Sequence, residues 1–187
     1  MHGPPLLRRP AGKLAALRKV LFARIAADHR ARHTVAPIVA ANQISGAYFQ
    51  PWQEHAIDSF HAHAAGLTHV YPAWISITGD GRSINTDTWR PDKSLYTKDL
   101  VLTARANGVR IVPIVQNAEG GVFDLKRLKV MLADPAASAS LAKALTDFVS
   151  VNNYQGLQID FELLDAPTAT KLAPWICLLY TSDAADE

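Results

Sequence analysis

From about Gln43 onward, short apolar runs rich in β-formers alternate with longer stretches of helical period. That alternation is the pattern of βαβ units built on a parallel sheet. It predicts four strands, Ser45–Phe49, His69–Ile77, Val109–Val115 and Gly156–Leu163. Between them, Gln53–Ala65 stacks Ile57, Phe60 and Ala64 on one helical face and stops at Gly66, and Thr97–Ala106 ends at the left-handed stop Asn107-Gly108. Asp134-Pro135 supplies a cap and a first-turn proline for a helix whose buried stripe is Leu141, Leu145, Phe148 and Val149, ending at Asn152-Asn153. The segment Asn117–Ala133 is too long for a tight loop and is expected to hold a short helix over Leu125–Leu132.

Four consecutive parallel strands with helical crossovers fit an open doubly wound sheet or half of an eight-stranded barrel. After the first strand the chain reads Tyr48-Phe-Gln-Pro-Trp52, with no Gly-rich phosphate loop, which disfavours a dinucleotide fold. With 187 residues, 49% of them hydrophobic and 19% charged, the chain is globular in composition. Its single cysteine, Cys177, cannot form an internal disulfide. No run approaches the roughly 20 apolar residues of a membrane span, and the N-terminus lacks the apolar core of a signal peptide.

Charge divides the chain. Residues 1–35 carry eight Lys/Arg against one acid, Asp28, whereas the remainder carries eleven against sixteen. In the basic part Leu14, Leu17, Leu21 and Ile25 recur at helical spacing with Arg and Lys between them, an amphipathic helix suited to an anionic membrane surface. A linker, or a helix packing on a neighbour, is the plainer reading and outweighs it; nucleic acid is not expected as a partner. The tail from Cys177 to Glu187 resembles translated sequencing-adapter sequence, which implies a native chain that diverges near Trp175 or Ile176. The expected layout is a basic segment over 1–42, a partial barrel over 43–176 and a non-native tail over 177–187.

Chemistry concentrates on the fourth strand. Alternation puts Leu157, Ile159, Phe161 and Leu163 on one face and Gln158, Asp160 and Glu162 on the other. The apolar face suits a helix layer; the polar face then points into a barrel, with Glu162 toward the C-terminal end where such barrels build active sites. Burying two carboxylates two residues apart is costly, and their mutual repulsion favours a Glu162 that keeps its proton for a leaving-group oxygen while Asp160 orients or stabilises. An isolated Asp-x-Glu is more often a hydrated edge strand; the flanking Tyr154-Gln-Gly and three preceding β/α units reverse that preference.

The segment Tyr154-Gln-Gly-Leu-Gln-Ile-Asp-Phe-Glu162 resembles the fourth-strand signature of family 18 glycoside hydrolases, Asp-Gly-x-Asp-x-Asp-x-Glu. The resemblance runs over about Ile44–Trp175, including Gly-Ala-Tyr-Phe, Tyr-Pro-Ala-Trp and Val-Pro-Ile-Val-Gln-Asn on the first three strands. It implies the front part of a (β/α)8 barrel truncated after about strand four, with Glu162 as general acid and Asp160 as its neighbouring aspartate. Gln155 and Gln158 replace the first two aspartates of the signature, and the second belongs to the hydrogen-bond relay. More narrowly, the chain resembles the family 18-type domain fused in some bacterial envelope proteins to a polysaccharide deacetylase and a family 2 glycosyltransferase, a subgroup that tolerates an amide at the relay position. The Ser-x-Gly-Gly pattern of typical chitinases is only loosely echoed by Asn117-Ala-Glu-Gly-Gly121.

The resemblance implies a substrate-assisted retaining mechanism on a β-linked N-acetylhexosamine polysaccharide, in a protein of the cell envelope. Gln158, Tyr48, Trp74, Gln116 and Asn117 are candidate substrate-binding residues, with Glu119 in the same loop as Asn117. Trp52, Tyr71 and Trp89 are further rings near strand ends, for which packing is an equal alternative. His55, His61, His63 and His69 invite a metal reading, but the first three lie six and two residues apart on one helix, do not converge on one face and read as a solvated helix. No metal or cofactor is expected. The alternative to a glycosidase is a non-catalytic, lectin-like barrel, favoured by Gln155 and Gln158; a third possibility gives the function to the basic N-terminal segment as a membrane-associating element.

Overall fold

Parallel pairing of four chain segments organises the computed structural model, which describes residues 43–90 and 94–183. The basic segment over 1–42 lies outside the described residues, as does the end of the chain after Asp183. Strand β1 (Gly46–Phe49) pairs with β2 (His69–Ile77), and β2 pairs with β4 (Arg110–Ile111) and β5 (Ile114–Gln116), which pairs with β8 (Gln158–Asp160). A two-residue strand β3 (Ile84–Asn85) runs antiparallel to the end of β2, and β6 (Ala118–Glu119) with β7 (Val122–Phe123) forms a small hairpin. Gly120 and Gly121 join that hairpin with φ of 57° and 82°, the paired left-handed geometry of a two-residue turn that glycine adopts without strain.

Helices α1 (Ala56–His63), α2 (Leu95–Asn107), α3 (Leu125–Ala133), α4 (Pro135–Val151) and α5 (Ala166–Asp183) separate the strands. The strand and helix faces that meet are closed: Val70 and Val115 of the sheet and Leu100, Leu128, Met131, Leu141 and Leu145 of the helices are all 0% exposed. Full burial of each such side chain stabilises the fold by roughly 1.5–3 kcal/mol. Ile57, Phe60 and Ala64 are buried as their spacing requires, whereas Val149, expected in the α4 stripe, is only partly buried.

Two predicted strands are shorter than expected. Val109–Val115 divides into β4 and β5 because Pro113 has no N–H for the ladder; pairing continues around it through Val112 N to Val70 O at 3.0 Å. The fourth strand covers only Gln158–Asp160, and Leu163, expected on the apolar face, has φ of 60° and is 66% exposed. The left-handed turn at Leu163 takes the chain out of strand geometry, so alternation ends before it reaches that residue.

Capping accounts for the helix boundaries. Ser94 accepts from Thr97 N, Asp124 from Lys126 N and Asp134 from Ala136 N, and Gly108 closes α2 in the left-handed conformation. Asp134 serves two helices, ending α3 and starting α4, and its carboxylate also pairs with Arg82. Helix α5, which the sequence reading did not anticipate, begins at Asp165, whose Oδ1 accepts from Thr168 N at 2.9 Å and whose Oδ2 meets Lys129 Nζ of α3 at 2.7 Å. The Lys129 contact first, and then the Thr168 bonds, hold the Asp165 carboxyl at about 2.

Asp134→Ala is expected to lower the unfolding free energy by about 1 kcal/mol, and Asp134→Asn, which keeps the cap, by no more than about 0.5 kcal/mol. Equal losses in a denaturant titration would assign the stabilisation to Arg82 instead. Because the folded-state value of Asp165 is depressed, its contribution is present above its ordinary 3.8 and is lost as pH falls through about 2. Acid titration followed by helical ellipticity should therefore show a component between about pH 4 and pH 2 that is missing in Asp165→Asn.

Candidate active site

Register decides which side chains meet. Neighbouring residues on paired strands point the same way, so Ser76, Gln116 and Asp160 form one row across β2, β5 and β8, and Tyr48 and Tyr71 form another across β1 and β2. The opposite face carries the helix-covered core, so these polar and aromatic groups occupy the open side of the sheet. There Gln116 Nε2 donates to Asp160 Oδ2 at 2.7 Å, and Gln158 Nε2 donates to the Tyr48 hydroxyl at 3.0 Å. Four of the residues singled out from sequence, Tyr48, Gln116, Gln158 and Asp160, are thus joined in two pairs on one surface.

Glu162 follows Asp160 beyond the end of β8, with its side chain exposed. The burial cost expected for a pair of carboxylates is therefore not imposed on Glu162 by this chain. Its backbone is held closely: Glu162 N donates to Asn117 Oδ1 at 2.9 Å, and Asn117 Nδ2 donates to Glu162 O at 3.0 Å. Asn117 Nδ2 also reaches Asp124 O at 3.3 Å, and Asp124 N donates to Asn117 O at 2.7 Å. With 0% exposure and every side-chain bond made to backbone, Asn117 lies beneath the surface rather than on it. Its expected contact with ligand gives way to a positioning task, because a buried amide must spend its hydrogen bonds internally.

Trp74 moves in the same direction. It is the extra residue of the β-bulge between Ala73 and Ile75, and it is turned into the helix-covered core, 1% exposed with its ring 5.8 Å from that of Tyr154. Trp89 also belongs to the core: its Nε1 donates to the Tyr154 hydroxyl at 2.7 Å and its ring meets Phe148 edge-on at 5.0 Å. Tyr48 and Trp52 remain on the surface at 69% and 56% exposure, and Tyr71 lies 5.4 Å from Tyr48 between ring centres.

Gln155 and Gln158 do different things. Gln155 Oε1 accepts from Ile111 N at 2.9 Å and its Nε2 donates to Asn153 O at 3.0 Å, so it pins the approach to β8 against β4. Gln158 faces the open side with Asp160. The histidines are dispersed among separate partners: His61 Nε2 lies 3.2 Å from Asp99 Oδ2, His63 Nδ1 lies 2.8 Å from Ser59 O, and His69 Nδ1 lies 2.8 Å from the Thr68 hydroxyl. Asp99 raises the His61 pKa against the opposing effect of burial.

No protein-family model matches the sequence, and neither does any curated protein. Solved structures do match. A class V chitinase from Pseudomonas fluorescens superposes with a TM-score of 0.67 at 20% identity, over 75% of this chain and 42% of that one. A spore cortex-lytic enzyme from Bacillus cereus gives 0.62 at 16%, over 73% and 31%. A mutant class V chitinase from Nicotiana tobaccum in complex with NAG4 gives 0.60 at 14%, over 78% and 40%. The fold is that of a partial (β/α)8 barrel. The chain spans less than half the length of each of these neighbours.

Asn117→Ala removes both hydrogen bonds to the Glu162 peptide unit and leaves buried polar groups unpaired, at an expected cost of about 1–3 kcal/mol. A urea titration should show the lowered midpoint. An unchanged midpoint would mean that the buried amide is dispensable to the segment after β8.

Proposed function

We propose that this chain contributes the general acid and the orienting aspartate of a glycosidase-type barrel that acts on a β-linked N-acetylhexosamine polysaccharide. The observation that carries this reading is the pairing of Gln116 with Asp160 on the open face of the sheet, two residues before a Glu162 whose backbone N–H and C=O are both bonded by Asn117. Both acids stand at the C-terminal end of the strand, where barrels of this kind assemble their sites. Chitinases and a cortex-lytic enzyme among the structural neighbours, one holding NAG4, support the substrate class. Chitin-like glycan, peptidoglycan and an N-acetylated envelope polysaccharide all belong to it.

In this mechanism Glu162 donates its proton to the glycosidic oxygen as the anomeric carbon–oxygen bond breaks. The carbonyl oxygen of the substrate's own acetamido group attacks the anomeric carbon and forms an oxazolinium ion. Asp160 accepts a hydrogen bond from the acetamido nitrogen and balances its developing positive charge, while Gln116 fixes the aspartate's rotamer from the side. Water, deprotonated by Glu162, then opens the ring with net retention. Tyr48 and Gln158 contact the sugar on the same face. The remaining strands of the barrel, and the residues that enclose the sugar, come from the rest of a parent protein of the bacterial envelope, and the 187-residue chain by itself has little or no turnover.

A specific feature favours a second reading, a lectin-like barrel that binds without cleaving. At the relay position Gln158 presents an amide whose nitrogen is engaged by the Tyr48 hydroxyl, so no second carboxylate on β8 adjoins Asp160. The deciding experiment reads the source DNA through the codon of Trp175, expresses the continuous product and assays it and its Glu162→Gln variant on N-acetylglucosamine oligomers. Expected are four further β/α units and a fall in kcat of at least about a hundredfold in the variant. Binding without cleavage would install the lectin-like reading, and a native stop after Glu187 would overturn the proposal of a longer parent barrel.

A further inference from the structure

Arg127 is a buried cation that no step of the proposed chemistry uses. It stands in the first turn of α3 with its side chain 10% exposed, and its guanidinium gathers groups from three places. Nη1 donates to Ile77 O at the C-terminal end of β2, Nη2 donates to Glu119 Oε2 in the β6–β7 hairpin, and Nε lies 3.9 Å from Asp124 Oδ2. Withdrawing a guanidinium from water is costly, yet the carboxylate it meets in the hairpin is 73% exposed, so mutual burial of an ion pair does not explain its place. What the rigid fork does is tie separate backbone segments together, which a flexible ammonium could not do in the same geometry.

Those segments lead to the site. The hairpin that carries Glu119 closes at its base through Asp124 N to Asn117 O at 2.7 Å and Asn117 Nδ2 to Asp124 O at 3.3 Å, and Asn117 holds Glu162 N and O at 2.9 and 3.0 Å. Asp160 is secured otherwise, by the β5–β8 ladder and by Gln116. We propose that Arg127 is a positioning residue for Glu162, acting through the β6–β7 hairpin, Asp124 and Asn117, and without hold on Asp160. The inference rests on the reading of Glu162 as the acid only for its catalytic consequence; the mechanical link stands on the contacts alone.

Two measurements separate those parts. In the 187-residue chain, amide hydrogen exchange is compared at Glu162 and across β8 for Arg127→Lys and for Glu119→Gln, the latter at an exposed carboxylate so that the fold is kept. Expected is exchange at Glu162 faster by on the order of tenfold, with the β8 amides unchanged. A parallel rise at Glu162 and β8 would reduce Arg127 to general stabilisation, and an unchanged Glu162 in Glu119→Gln would overturn the link even if the Arg127 variant fails to fold. In the continuous parent protein, Arg127→Lys should lower kcat on N-acetylglucosamine oligomers by on the order of tenfold with KM within about twofold, as expected for a displaced acid. A loss confined to KM would overturn the catalytic consequence. Should Glu162→Gln retain full turnover, the acid assignment fails while the exchange comparison still decides the mechanical link.

Discussion

The ladder between β5 and β8 is the interaction on which the site depends. Setting Gln116 beside Asp160 is a matter of register alone, because side chains on parallel neighbours share a face only when the pairing is in step. A slip of one residue would turn Asp160 into the helix layer and bring Ile159 to the open side. The register is secured from both ends: Gln155 exchanges bonds with Ile111 before β8 begins, and Asn117 grips Glu162 after it ends. Three residues of strand would be a weak specification; the two flanking clamps extend it.

Much of this was legible because punctuation and period agreed. Asp134-Pro135 and Asn107-Gly108 announce a helix start and a helix stop through side-chain and backbone chemistry that does not depend on the rest of the fold, and both lie where the sequence puts them. Strand β2 was readable over its full length, His69–Ile77, because it is the central strand, with neighbours on either side. Helix α5 follows the same logic: Asp165 caps it and Pro167 stands in its first turn, one position later than the proline of Asp134-Pro135. The β6–β7 hairpin is likewise written in Gly120-Gly121, a two-residue turn signal whose glycines adopt the left-handed geometry the turn requires.

What period could not give was depth. Asn117 and Trp74 were placed on the correct elements and at the wrong distance from solvent, since alternation assigns a face but not what lies over it. The tryptophan fills the space between sheet and α4, where Tyr154 and Phe148 also lie, and the asparagine satisfies peptide groups that a loop crossing under the surface would leave unpaired. Both lie beneath the open face of the sheet without reaching its surface. Arg127 follows the same rule, since one of three basic residues in an amphipathic helix, between Lys126 and Lys129, gives no sign in the sequence that its charge is turned inward.

Gln155 and Gln158 illustrate how an amide and a carboxylate would part company in the same position. At Gln155 the side chain both accepts from Ile111 N and donates to Asn153 O, and a carboxylate could supply only the first bond. At Gln158 the amide donates to a phenol that an ionised aspartate could also engage, but as acceptor, with the hydroxyl's proton reversed. The consequence is electrostatic as well as geometric: Asp160 has neutral side chains across the ladder, at Gln116, and before it along the strand, at Gln158, with the exposed Glu162 following it. An aspartate so placed is held by hydrogen bonding to a neutral donor, and its orientation depends on Gln116.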